Sequence, residues 1–131
     1  MQECFPYFKE QKEGRVINFA SATGMFGYAG NLAYGSNKEA IRGLTKIAAK
    51  EWGQYGITVN CVLPGAESPA AKEWAKKFPE KYEAILQQQP MRRLGDPETD
   101  IAPVIAFLAG PDSSYYSGQC LLLDGAYSIA P

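Results

Sequence analysis

The stretch Ser21–Lys38, SATGMFGYAGNLAYGSNK, decides how this 131-residue chain is read. Just before it stands Arg15-Val16-Ile17-Asn18-Phe19-Ala20, short, apolar and rich in β-favouring residues, which predicts a buried parallel strand. Ser21 to Gly30 carry three glycines and no hydrophobic period, so they read as a loop leaving that strand's carboxyl end. From Asn31 to Tyr55 the pattern turns helical. Ala40, Ile41, Leu44, Ile47, Ala48 and Trp52 recur at three-to-four spacing and define the expected core face, with Lys46, Lys50 and Glu51 outside. Gly53 and Gly56 supply stop signals. Gly43 marks either a close helix approach or a tolerated glycine that costs about 1 kcal/mol against alanine.

Working outward, Ile57–Leu63 (ITVNCVL) is a second buried strand, broken by Pro64-Gly65. Two parallel strands joined by a long helix make a βαβ unit with a right-handed crossover. Ligands of open α/β sheets bind beyond the strand carboxyl ends, where Ser21 and Pro64-Gly65 both fall. Upstream, Cys4, Phe5 and Phe8 suggest a helix, and Pro6 limits it to a last turn or a kinked piece. Downstream, Ser68-Pro69 starts a helical segment in which Trp74, Phe78, Tyr82 and Ile85 form one apolar stripe. Residues 66–95 therefore read as one or two short amphipathic helices, either a flap over the cleft or an ordinary packed insertion. Arg92-Arg93 is a candidate for an anionic substrate group or a solvated pair. Asp96-Pro97-Glu98 caps a further helix, which Pro103 delays or bends and Gly110-Pro111 ends. Gln119–Leu123 is a third strand, and Asp124-Gly125 turns the chain out.

Tyr34 and Lys38 stand four residues apart and share a helix face, about 6 Å apart along the axis. A phenol titrates near pH 10 in isolation, and a neighbouring ammonium favours its ionised form. A tyrosine so placed can give a proton to a forming alkoxide or take one from an alcohol. Ser21, thirteen residues before Tyr34, can hydrogen-bond the same substrate oxygen from the adjacent strand end. Y-x-x-x-K alone is a weak signal, and by itself a half-buried core tyrosine and a surface lysine would be the stronger reading.

Composition removes other chemistries. Apolar residues make up 46% of the chain, enough for one core, and the net charge is −1. No basic field calls for nucleic acid or anionic lipid, and no apolar run reaches the roughly 20 residues of a spanning helix. The opening residues lack the charged and apolar regions of a signal peptide. Cys4, Cys61 and Cys120 are scattered, as suits reduced thiols in a cytoplasmic protein. The absence of histidine excludes Ser-His-Asp hydrolysis, Cys-His catalysis and histidine-ligated metals, and no metal site is expected. Neither G-x-G-x-x-G nor a P-loop occurs.

The run RVINFASATG, YGSNK on a long helix, TVNCVLPG, RRLGDPETDIAPVIAFLAG and SGQCLLLDGA, in that order and spacing, resembles the short-chain dehydrogenase/reductase family, notably its bacterial 3-oxoacyl-ACP reductase-like members. The resemblance covers nearly the whole chain. It implies an α/β fold, the last three strands and intervening helices of a partial doubly wound, Rossmann-like parallel sheet. Residues 1–131 would be the carboxyl-terminal half of one such domain. Ser21 then corresponds to the catalytic serine, Tyr34 to the general acid/base, and Lys38 to the lysine that tunes it and binds the nicotinamide ribose. Pro64 and Gly65 correspond to the turn beside the nicotinamide, and Ser68 stands one position early for a carboxamide-binding hydroxyl. Asn18 and Asn60 are expected to be structural.

The family's dinucleotide loop, its N-N-A-G strand end and its catalytic asparagine have no match here, and the resemblance places them upstream of Met1. The implied cofactor is NAD or NADP, the substrate a small carbonyl or alcohol, and the assembly a homo-oligomer, dimer or tetramer. Met25, Phe26, Trp74 and Phe78 hint at an apolar substrate pocket. Two other functions compete: a non-catalytic fragment serving as an oligomerisation module, and an epimerase or dehydratase relative.

Overall fold

The computed structural model describes residues 1–129. Three parallel strands form its sheet: β1 (Gly14–Phe19), β2 (Ile57–Pro64) and β3 (Cys120–Leu123), in the order β1-β2-β3. The run Ile57 to Val62, rich in β-branched residues, is buried throughout, as befits a central parallel strand covered on both faces. Ile17 lies opposite Asn60, and Cys61 opposite Cys120. The α/β class and the three-strand sheet follow the sequence reading.

Helix α1 (Phe5–Gln11) packs beneath β1 through Phe5 and Phe8, with Phe5 stacked on Trp52 at 4.7 Å. Pro6 lies in its first turn, where a missing N–H costs nothing, so it begins the helix and neither kinks nor shortens it. The loop after β1 is also more ordered than its composition suggests. It contains a short helix, α2 (Ala22–Phe26), capped by Ser21 and ended by Gly27 in the left-handed region.

The long helix α3 spans Leu32–Trp52, and a single 3₁₀ turn over 53–55 leads into β2. Its buried positions are Arg42, Thr45 and Ala48, flanked by the partly buried Ile41, Ala49 and Trp52. Leu44 and Ile47, expected in the core, are 50% and 58% exposed. The helix thus has two apolar stripes, and only one meets the sheet. Thr45 can face the core because its hydroxyl donates to the Ile41 carbonyl and accepts from Asn18 Nδ2, at 2.8 and 2.9 Å. Gly43 has open space around it and marks no close approach.

Beyond β2, α4 (Pro69–Lys77) and α5 (Pro79–Gln88) form the helical pair expected over 66–95, and no residue of either is buried. Trp74 holds them together, 5.7 Å from the Phe78 ring and 6.5 Å from the Tyr82 ring. After Asp96, residues 97–101 form one wide π turn before α6 (Ala102–Ala109). This is the delay that Pro103, in the first turn of α6, announces. Asn60 is structural as expected, with Nδ2 donating to Tyr116 O at 2.7 Å and Oδ1 accepting from Gln119 N at 3.1 Å. No helix among the described residues is long and apolar enough to cross a membrane.

Candidate active site

Ser21 follows the end of β1, and Lys38 of α3 reaches that strand end. Ser21 caps α2 from extended backbone, its Oγ accepting the Thr23 N–H at 3.2 Å. Accepting that bond leaves the hydroxyl hydrogen available to a ligand. The Lys38 ammonium donates to the Phe19 carbonyl at 2.9 Å, and Phe19 is the last residue of β1, two before Ser21. The same ammonium lies 5.7 Å from the centroid of the Tyr34 ring, within cation–π range. Lys38 therefore ties the tyrosine, one turn earlier on α3, to the strand end that carries the serine. Tyr34 is half exposed, so a ligand above the sheet edge can reach it.

Contact between α2 and α3 makes this possible. A Cβ on Gly24 would lie 2.7 Å from Glu39 N and 2.8 Å from Gly35 O, both backbone atoms of α3. Only a bare glycine allows α2 to sit so close, and α2 is what Ser21 caps.

Pro64 and Gly65 end β2 at the same edge of the sheet. Gly65 N donates to Leu123 O, and Gly65 O accepts from Gly95 N, both at 2.9 Å, so the turn is pinned on two sides. A Cβ at Gly65 would come within 2.8 Å of the Asp124 side chain. Ser68 is the N-cap of α4, its Oγ accepting Ala71 N–H at 3.1 Å. Sequence reasoning missed this edge's link to the far end of the chain. Asp124 accepts the Ser128 N–H at 2.9 Å, and the Ser128 hydroxyl meets Tyr28 Oη at 3.4 Å. Both oxygens are ordinary loop residues, so no local pattern marks the pair.

Of the residues expected to line an apolar pocket, Met25 turns inward and packs on Ala20, Cys61 and Leu63. Phe26 and Phe78 remain on the surface at 39% and 43% exposure. Arg93 is half exposed, as a solvated residue should be, and it forms a two-pronged surface pair with Asp100. That guanidinium, with the Asp96 N–H, holds the Asp100 carboxyl down at about 2. The helical pair is anchored at its base by Tyr82, whose hydroxyl donates to Glu67 at 2.7 Å, with Lys72 3.6 Å from the other carboxylate oxygen.

The Glu67 bond, with burial and the carboxylate charge behind it, pushes the Tyr82 phenol up to about 12. A raised folded value stabilises the fold fully below the unfolded value of about 10, and this is lost as pH rises through about 12. In Glu67→Gln, alkaline titration of Tyr82 followed by carbon-13 tyrosine resonances is expected to fall toward the ordinary phenol value. An unchanged midpoint would show that Glu67 is not the cause.

Comparison with known proteins agrees with this fold. The family model described as Enoyl-(Acyl carrier protein) reductase matches residues 1–128. The chain is 47% identical, over its whole length, to a 12alpha-hydroxysteroid dehydrogenase of a Clostridium species, covering 50% of that protein. It is 39% identical over 98% of its length to the 3-oxoacyl-[acyl-carrier-protein] reductase FabG of Thermotoga maritima, covering 51% of it. Among solved structures, ElxO with NADP bound superposes with a TM-score of 0.88 at 33% identity, over 97% of this chain and 51% of that one. An actinorhodin polyketide ketoreductase with NADPH gives a TM-score of 0.82 at 30% identity, over 90% of this chain and 48% of that one. The chain spans about half the length of the curated relatives it matches. On motif order, fold and these matches, the chain belongs to the short-chain dehydrogenase/reductase family.

Proposed function

We propose that the chain is the proton-handling half of an NAD(P)-dependent oxidoreductase that interconverts a small carbonyl compound and an alcohol. The observation that carries this reading is the Lys38 ammonium, bound to the Phe19 carbonyl and set against the Tyr34 ring. In reduction, Tyr34 Oη donates its proton to the carbonyl oxygen as negative charge develops there. Ser21 Oγ–H hydrogen-bonds that same oxygen and stabilises the charge. Lys38 stands beside that ring, and its charge-assisted bond to a backbone oxygen holds the ammonium in place.

The residues at the sheet edge fit the nicotinamide end of such a cofactor. Lys38 has three N–H donors and spends one on Phe19, leaving two for ribose hydroxyls. The Pro64-Gly65 turn, tied through its backbone, offers a flat surface to a ring, and Ser68 keeps a hydroxyl hydrogen for the carboxamide. When bound, the reduced nicotinamide supplies hydride to the carbonyl carbon. The NADP bound in ElxO and the NADPH in the actinorhodin ketoreductase support this class of cofactor. No glycine-rich phosphate loop occurs in the sequence, so the adenosine and pyrophosphate are held elsewhere and the chain alone is inactive.

A second role, assembly, is favoured by one observation. The outward side of α3 is apolar and uncovered at Leu44 and Ile47, 50% and 58% exposed. Cofactor fluorescence tests the primary reading on the isolated chain. Titration of NADH and NADPH is expected to give no saturable binding, and micromolar affinity for either would overturn the division of labour.

A further inference from the structure

We infer that Cys61 and Cys120 form a redox-active dithiol that closes into a reversible disulfide between β2 and β3 when it meets a hydroperoxide. The two residues are direct register partners on adjacent parallel strands, so their side chains leave the same face of the sheet. Neighbouring strands lie about 4.8 Å apart, inside the roughly 4.4–6.8 Å of Cα separation that a disulfide spans. Both pack in the same cluster, with Ala20 and Leu63 and against Met25 and Ile41. The remaining cysteine, Cys4, is exposed near the start of the chain.

The two thiols are not equivalent, and this sets the order of events. Cys61 is fully buried, whereas Cys120 is partly accessible. Burial first, then the Cys120 sulfur beside it, pushes the Cys61 thiol up to about 11, which keeps it protonated. Cys120 has a cation next to it. Arg42 is 8% exposed, pairs through one terminal nitrogen with Glu39 at 2.6 Å, and leaves its Nε buried with no hydrogen-bond partner among the described residues. Burial alone would lower the basicity of that guanidinium, but Glu39 and the Cys120 sulfur outweigh it and hold it above its ordinary value. Arg42 is thus a cation beside the more accessible of the two sulfurs.

The chemistry balances in two steps. Cys120 thiolate attacks one oxygen of hydrogen peroxide; the S–O bond forms, the O–O bond breaks, and the departing hydroxide takes up a proton as water. The sulfur becomes a sulfenic acid, oxidised by two electrons as the peroxide is reduced. Cys61 sulfur then displaces the hydroxyl of that sulfenic acid; the S–S bond forms, the S–O bond breaks, and the Cys61 proton leaves with the hydroxide as a second water. An external thiol reopens the link by thiol–disulfide exchange. Its closure would clamp the sheet directly under Met25 of α2, the helix that Ser21 caps.

The test uses the 131-residue chain carrying Cys4→Ser, treated with dilute hydrogen peroxide and read by intact mass and peptide mapping. The expected result is a loss of about 2 Da, reversed by dithiothreitol, with the 61- and 120-containing peptides linked. Concentrated guanidinium chloride, which destroys the register, should slow the link about tenfold or more. With Cys61→Ala added, Cys120 should accumulate as a sulfenic acid trapped by dimedone. Free thiols after peroxide, a link that forms as fast in denaturant, or a link between two chains would each overturn the proposal. Because the first measurement needs no change in the core, it stands even if Cys61→Ala fails to fold.

Discussion

Tyr34→Phe is expected to lower carbonyl reduction about a thousandfold once the chain is joined to a dinucleotide-binding half. The substitution removes one oxygen and leaves the ring, so the contact with Lys38 at 5.7 Å survives and cofactor affinity should hold within about twofold. What disappears is the proton for the forming alkoxide, so the loss falls on kcat. Ser21→Ala should cost about a hundredfold, the usual effect of deleting one donor to developing charge. It also removes the cap of α2, accepted from Thr23 N at 3.2 Å, and with it about 1 kcal/mol of stability. The two variants are thus distinguishable: one loses turnover alone, the other loses turnover and some stability. Near-normal kcat in Tyr34→Phe would remove the phenol from the chemistry.

Gly24→Val is expected to destabilise the chain by about 2–3 kcal/mol. The added carbon would stand 2.7 Å from Glu39 N and 2.8 Å from Gly35 O, and neither backbone atom can rotate away as a side chain could. The helices must separate, and α2 moves with Ser21 at its head. Gly43→Ala is the counterpart on α3: nothing lies within 4 Å of its Cβ position, so the helix gains about 1 kcal/mol from the better helix former. Urea denaturation of both variants measures the contrast. Equal midpoints for Gly24→Val and the unaltered chain would mean that the α2–α3 contact is not tight.

Much of this arrangement is legible in the residues, and the exceptions have physical causes. β1 and β2 are readable because short apolar runs rich in β-favouring residues between turn signals have few other uses. Gly53 and the Asp96-Pro97 pair set helix boundaries for the same reason: their backbone chemistry is local. Helix α2 escaped because five residues give no period, although Ser21 and Thr23 already carry the cap. The inward face of α3 was misjudged because both of its stripes are apolar. The choice between them rests on the Thr45–Asn18 bond, a contact 27 residues apart that hydropathy does not register. The motif spacing announced Tyr34 and Lys38. The anchor for Lys38 could not be read, because its acceptor is a backbone carbonyl and every residue has one.

Joining the chain to the preceding half of the 12alpha-hydroxysteroid dehydrogenase, its 47% identical relative, gives the most direct test. The measurement is the rate of NAD(P)H oxidation by a carbonyl substrate for the joined protein and for each half alone. The account predicts turnover in the joined protein, its loss in Tyr34→Phe with the fold intact, and no turnover from either half. Turnover that survives Tyr34→Phe, or a folded, cofactor-binding joined protein that never consumes NAD(P)H, would contradict it.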